Sequence, residues 1–379
     1  MDAKQILAYF QSRRDVVIDL TRQLVDIESP SNDASRSREV AGWIEGQARA
    51  TGAEIHVERI AVEPGEHVII RSFPGDARPT LLLGHTDTVH PAGTKERNPT
   101  RIDGDRFYGC GIFDMKSGVV LMLEALRFFA TTRAQPATPV TVVLSCDEEV
   151  GSMSGREIVE REAVASSACL ILEPSAEGRV KTARKGTGIY TLRAQGAPAH
   201  AGLEPEKGAN AIRELARQVE AIHSIARPEI GTTVNVTTFR GGTTINVIPA
   251  LAACDIDVRF SVAAEAERVD RELRALRSYD KGVSLELDGS DNRPPMERTE
   301  AVAALYERAK ALAASFDYEL GEAQVGGGSD GNFVAALGVP VLDGLGITGA
   351  GAHTLDEHIL VSDIAPRATL VTLLLFSRQ

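Results

Sequence analysis

The chain predicts an α/β fold, a mostly parallel sheet with helices on both faces, into which a smaller α+β domain is inserted. Three observations carry this. The 379 residues exceed the ~250–300 at which one hydrophobic core stops growing. Short apolar runs, TLLLG (80–84), VTVVLSC (140–146) and ACLILE (168–173), alternate with helical patterns, as buried parallel strands do. From about residue 179 the order changes to βαββαβ, the split βαβ arrangement.

Taken in order, residues 5–26 carry apolar positions at helical spacing, and β-rich runs follow at 54–60 (EIHVERI) and 67–73 (HVIIRSF). The three apolar strands come next, with a helix over 115–130 between the first two. The inserted unit reads as strand 188–194, helix 210–226, strands 232–239 and 248–262, helix 265–279 and strand 283–288. It is self-contained and of ordinary domain size, about 110 residues. A helix over 299–315, the loop GGGSDGNF (326–333), the strand VPVLDGL (339–345) and a closing helix over 362–376 return to the α/β style. The expected division is therefore a discontinuous domain of 1–178 and 292–379 around an insertion of 179–291.

Lys and Arg number 41 against 53 Asp and Glu, a net charge of −12, so a phosphate backbone or an anionic lipid surface would be repelled. Nucleic acid and membrane are excluded as expected partners, and no apolar run approaches the ~18–20 residues of a spanning helix. The first residues lack the apolar core of a signal peptide, which points to a cytoplasmic protein, although a trimmed exported chain would read the same. Cys110, Cys146, Cys169 and Cys254 include no CxxC pair and read as free thiols of a reducing compartment.

Acidic and His clusters stand just beyond the strands, where open α/β sheets build their sites. In LLLGHTDTV, His85 and Asp87 point the same way if extended, and a carboxylate beside an imidazole suits metal ligation; a solvated turn is the structural alternative. Asp114, in GCGIFDMKSG, could be a ligand or the N-cap of the following helix. Asp147-Glu148-Glu149 ends an uncharged strand, and three adjacent acids repel unless a cation neutralises them; neighbouring side chains diverge, so one could ligate while the next moves protons, or all three could be a solvated loop. Glu173 closes the strand ACLIL as a metal ligand or as a cap, and His353 lies among small residues in GAGAHTLDEH. Of the eight histidines, His56, His67, His90, His223 and His358 receive no role. Two His and three carboxylates from separate segments could hold two divalent ions with one carboxylate bridging them, and nitrogen plus oxygen donors favour Zn²⁺, with Co²⁺ or Mn²⁺ as substitutes.

GHTDTV, GxGxxDMKSG, DEEVGS, EPS and a late GAH, in this order around a βαββαβ insertion, resemble the dinuclear zinc aminoacylase and carboxypeptidase family, and within it the bacterial folate-cleaving glutamate carboxypeptidase branch. The resemblance spans essentially the whole chain. It implies two zinc ions: His85 and Glu173 on one, Glu149 and His353 on the other, Asp114 between them. Glu148 would be the general base, and Asp87 the acid that orients His85. His200, in GAPAHAG, matches a lid-domain His that reaches the partner subunit's site, which implies a homodimer through the lid. Arg293, in DNRPP, matches the arginine that holds a substrate carboxylate, and Asn246, in TTINVIP, a lid Asn near the substrate. A cis Asp114–Met115 peptide is also implied. Cys110 and Cys146 depart from the family pattern and read as packing residues.

The expected activity is zinc-dependent hydrolysis of an amide next to a C-terminal amino acid, in a peptide or N-acyl amino acid, of the glutamate-carboxypeptidase type. An N-acyl-amino-acid deacylase of the acetylornithine or succinyl-diaminopimelate kind would use the same centre. A metal-free binding protein is the contrasting class, and it would normally lack a ligand or the base, all of which this chain carries.

Overall fold

A computed structural model describes residues 1–377, which divide into two compact units. The first comprises Met1–Ala183, Arg298–Val325 and Ser329 onward; the second comprises Arg184–Glu297 with Gly326–Gly328.

The first unit is built on a six-stranded sheet. Its interior strand, Thr80–His85, is hydrogen-bonded in parallel to Val140–Ser145 on one side and to Ala168–Ile171 on the other. All three are buried throughout, which is why the sequence shows continuous apolar runs rather than alternation. Val341–Leu342 extends the parallel part beyond Ala168–Ile171. On the opposite side the sheet turns antiparallel, through Glu66–Ser72 and then Ile55–Ala61 at the edge.

Both faces are covered. Leu82, Val142, Leu144 and Leu170 join one core with the helices Ala3–Asp26, Ser117–Thr132 and Ile364–Phe376. Phe10 of the first helix stacks on Phe128 of the second, with ring centroids 5.9 Å apart. The alternate side chains Leu81, Leu83, Val143 and Ile171 are buried too and project to the other face, because neighbouring strand residues point apart. Gly331, which opens the helix Gly331–Ala336, lies against Ile171 there.

The second unit is a four-stranded antiparallel sheet with two helices, in the chain order βαββαβ. Leu251–Phe260 and Gly186–Gln195 are central; Thr233–Gly241 and Ser284–Arg293 are the edges. Burial alternates strictly along Leu251–Phe260, the mark of a sheet with one covered face. That face meets Leu215 and Ile222 of helix Ala211–His223 and Val269 and Leu273 of helix Ala263–Arg274. Among the described residues, no helix is long and apolar enough to cross a membrane.

In the first unit, one glycine brings a helix hard against a strand end. A Cβ on Gly118, in the first turn of Ser117–Thr132, would stand 2.2 Å from the carbonyl oxygen of Leu172, the residue before Glu173. Hydrogen alone fits there, and the helix that follows Asp114 thereby lies against the strand end that carries Glu173. Gly118→Ala should force backbone movement and cost about 1–3 kcal/mol, read as a lower denaturation midpoint at unchanged m value.

Candidate metal centre

Parallel strands end on one edge, so their C-terminal residues share a neighbourhood. His85 is the last residue of its strand and pairs in register with Ser145. From Ser145 the chain runs through Cys146 to Asp147, Glu148 and Glu149, and the third strand leads through Leu172 to Glu173.

Asp114 arrives from a wide turn, Ile112–Lys116, ahead of the helix Ser117–Thr132. Its backbone is non-helical (φ −116°, ψ 91°), the Asp114–Met115 peptide is cis, and the helix has no side-chain cap. The capping alternative is thus removed, and the carboxylate faces two imidazoles instead. Oδ1 is 3.1 Å from His85 Nε2, while Oδ2 is 3.4 Å from His353 Nε2.

Each imidazole has a second carboxylate. Glu173 Oε1 lies 3.2 Å from His85 Nε2, and Glu149 Oε2 lies 3.2 Å from His353 Nε2. Two donors bound to one tetrahedral ion at ~2.0–2.1 Å stand about 3.3 Å apart. All four separations therefore have the length of a tetrahedral edge, arranged as two half-sites that share Asp114. Glu148 offers an oxygen within 4.8 Å of the His85 and Glu173 donor atoms. His353 is half exposed and sits in the left-handed region (φ 66°), a conformation that costs a non-glycine residue energy and recurs at functional sites.

The electrostatics favour a cation. Burial pushes the Glu149 carboxyl up to about 7, with the Asp114 and Asp87 charges adding to the rise and the His85 and His353 imidazoles opposing it, and its Oε1 is buried without a hydrogen-bond partner. Burial opposes charge on His85 as well, but Asp114, Asp87 and Glu173 outweigh it and hold the imidazole far more basic than usual. His353 rises to about 9, chiefly through its hydrogen bond to Asp114. Donors that hold protons this tightly present concentrated negative potential, and a metal ion competes for the same lone pairs. The residues fit a metal centre.

Asp87 is 3% exposed, not part of a solvated turn. Its Oδ1 stands 3.4 Å from His85 Nδ1 and accepts the Glu148 N–H at 3.2 Å; its Oδ2 accepts the Glu149 N–H at 3.1 Å and the Ser31 hydroxyl at 2.7 Å. Burial pushes this carboxyl up, but the His85 bond and charge, with help from Ser31 and the Glu149 N–H, hold it below the usual range. The Asp87 carbonyl oxygen, 3.0 Å from His85 Nδ1, orients the imidazole together with this carboxylate, which also fixes the dipeptide Glu148-Glu149. Asp147 faces inward: its Oδ2 accepts the Ser154 N–H at 2.7 Å and hydroxyl at 2.8 Å, and Ser154 Oγ is 3.0 Å from His67 Nε2.

In the second unit the structure brings His200 and Asn246 together. The short ladder Ala199–His200 with Val247–Ile248 is extended by the Ala201 N–H donating to the Asn246 carbonyl at 2.9 Å. His200 is exposed, and its Nδ1 accepts the Gly202 and Leu203 N–H groups, each at 3.1 Å. That leaves Nε2 to carry the proton. Arg293, at the end of the edge strand Ser284–Arg293, is only 6% exposed. Of the loop GGGSDGNF, Gly327 and Gly328 accept from Arg184 in this unit, while Asp330 in the first unit accepts the Ser145 hydroxyl at 3.2 Å.

Sequence reasoning missed two residues beside the centre. It gives His90 no role and does not single out Glu357; the structure joins them, with His90 Nε2 2.7 Å from Glu357 Oε2. His90 is raised to about 10, first by Cys110 and then by Glu357. The only sequence signal is an acid four residues beyond His353.

A parallel sheet that gathers two imidazoles and four carboxylates at its strand ends defines a metal-binding hydrolase. Residues 81–377 match the family model described as Peptidase family M20/M25/M40, and the chain belongs to that family. It is a metallopeptidase-type hydrolase acting on amide bonds. Carboxypeptidase G2 of Pseudomonas sp. (strain RS-16) is 29% identical over 94% of this chain and 89% of its own length. Succinyl-diaminopimelate desuccinylase of Delftia acidovorans is 29% identical over 78% and 81%. The crystal structure of aminopeptidase PepT from Bacillus cereus has a TM-score of 0.79 at 22% identity, covering 96% of this chain and 98% of that one, a likeness of fold.

Asp87→Asn would turn an N–H donor toward backbone N–H groups or His85. Metal affinity should fall about 10–100-fold, the usual effect of losing a ligand's outer partner, in zinc titrations against a chelating dye, with far-UV circular dichroism unchanged.

Proposed function

We propose that the protein is a dinuclear zinc exopeptidase of the glutamate-carboxypeptidase type, and the two-sided Asp114 carboxylate is the observation that carries the reading. His85 and Glu173 would hold one ion, Glu149 and His353 the other, and Asp114 both; Co²⁺ or Mn²⁺ would substitute. When bound, such a pair supplies Lewis-acid polarisation of the scissile carbonyl and acidifies a water molecule.

The remaining chemistry belongs to the chain. Glu148 takes the proton of the attacking water and returns it to the leaving nitrogen, held at its backbone by Asp87. His200 donates from Nε2 to the developing oxyanion of the partner subunit's site. A donor is what that role needs, and the two N–H groups on Nδ1 support it. Arg293 binds the free carboxylate of the substrate through its planar fork, with Asn246 beside His200 contacting the same substrate.

The working form would be a homodimer through the inserted domain, acting as lid. Ile189 and Leu251, exposed on the sheet face that the helices leave open, support a face that pairs. A cytoplasmic location is supported by four cysteines that are all free and buried. Substrates would be small peptides or N-acyl amino acids with a terminal carboxylate. Because desuccinylases also stand among the relatives, removal of a simple acyl acid is the second reading.

The test is a matched panel of benzoyl- or pteroyl-glutamates, dipeptides, and N-acetyl and N-succinyl amino acids given to zinc-loaded protein. Release of C-terminal glutamate is expected, falling by about 10²–10⁴-fold in Glu148→Gln and lost in Arg293→Ala. Preferential cleavage of N-succinyl or N-acetyl substrates would replace the carboxypeptidase reading by the deacylase. Subunits carrying His200→Ala, co-expressed with subunits carrying Glu148→Gln, should regain activity that neither parent shows; a mixture as inactive as its parents would place His200 in its own subunit's site or outside the chemistry.

A further inference from the structure

The turn that delivers Asp114 is held from outside. Gly111 is left-handed (φ 72°), Asp114 is non-helical, and the turn's own bonds are Ile112 N–H to Gly109 O at 3.3 Å, Lys116 N–H to Gly111 O at 2.9 Å and Ser117 N–H to Ile112 O. Its other inward N–H groups go to one carboxylate, that of Glu357, which is fully buried. Oε1 accepts from Phe113 N and Asp114 N, both at 2.9 Å. Oε2 accepts from Gly111 N at 2.8 Å and stands 2.7 Å from His90 Nε2. The Glu357 carbonyl also accepts the Gly109 N–H at 3.2 Å.

A carboxylate has about four lone-pair sites, and all four meet a donor here. Two of those donors flank the Cα of Phe113 and so fix the peptide from which the Asp114 side chain departs. An error there moves both Asp114 oxygens at once, and each faces a different half-site. The same segment carries His353 four residues earlier, so one stretch of chain sets a donor of one half-site and the carboxylate common to both.

We propose that Glu357, itself held by His90, is a positioning residue that sets the Asp114 carboxylate between the two half-sites and thereby determines metal affinity and rate. Glutamine is nearly isosteric but carries an N–H₂ in place of one oxygen. Whichever way it turns, a donor then faces backbone N–H groups or His90, and the turn must shift. His90→Gln keeps an N–H donor of similar reach on a more flexible side chain that cannot become charged, and should act in the same direction more mildly. The inference rests on reading Asp114 as the shared ligand.

The experiment uses the full chain, stripped of metal and titrated with Co²⁺ alone, read by visible d–d absorption, together with kcat, KM and thermal unfolding. Glu357→Gln is expected to weaken Co²⁺ binding about 10–100-fold, to alter the d–d spectrum and to lower kcat with KM little changed. A merely structural residue would lower the unfolding temperature and leave the spectrum of the bound ion as in the wild type. Wild-type affinity and spectrum in Glu357→Gln would overturn the proposal; if that variant does not fold, wild-type values in His90→Gln would overturn it. Failure of the wild-type chain itself to bind Co²⁺ would remove the metal-centre reading and this inference with it, whereas normal wild-type binding with an unaltered variant removes this inference alone.

Discussion

Repulsion among carboxylates gathered at one sheet edge is the constraint on which the rest of the structure depends. Asp87, Asp114, Glu148, Glu149 and Glu173 converge where three parallel strands end, and burial removes the water that would screen them. The consequence is visible at Glu149, pushed up to about 7 by burial and by the Asp114 and Asp87 charges. The opposing consequence is visible at His85 and His353, both made more basic than an ordinary imidazole. Cations resolve the conflict without moving the backbone, because every donor already stands at ligand-to-ligand distance from its neighbour.

Holding such a set together requires that the groups behind it cannot yield. The chain uses one device three times: a buried carboxylate that gathers backbone N–H groups from a nearby turn, in two cases a turn that carries a candidate site residue. Asp87 grips Glu148 and Glu149, Glu357 grips the turn that delivers Asp114, and Asp147 grips the start of the helix Gly155–Ala165. A charged acceptor forms stronger bonds to N–H donors than a neutral one, so each turn is fixed more firmly than its own hydrogen bonds would fix it. Gly118, lying against Leu172, does the same work by shape.

The fold and the donor set were legible because both follow from local patterns. Continuous apolar runs announced parallel strands, and the change to a βαββαβ order announced the insertion, whose half-covered sheet shows as period-two burial along Leu251–Phe260. HTD, DEE and LILE each put charge immediately after a strand, where the sheet itself dictates convergence. His90 and Glu357 were not legible for the opposite reason. The role proposed for Glu357 comes from N–H groups some 245 residues away in sequence, His90 enters only through the Glu357 side chain, and backbone donors leave no trace in residue type. The helix after Asp114 begins later than its apolar pattern suggested, at Ser117, because Asp114 and Met115 leave helical geometry to turn the carboxylate inward; an acid before an apolar helix reads the same whether it caps or ligates.

Reaction class and substrate choice therefore have different physical origins in this chain. Amide hydrolysis goes with the family, and under the proposed function its chemistry would rest on where two nitrogens and a few oxygens stand relative to one another. Under the proposed function, selection would depend on groups such as Arg293, buried at the end of an edge strand, and His200, whose Nδ1 accepts two backbone N–H groups. An arginine can serve as a hinge ion pair or as a carboxylate clamp, and His200 stands out in the sequence only through the resemblance of GAPAHAG. Such residues acquire meaning only from the substrate they meet. The relatives of this chain include enzymes named carboxypeptidase and desuccinylase, and under the proposed function one donor set would serve both while the groups around it choose the substrate.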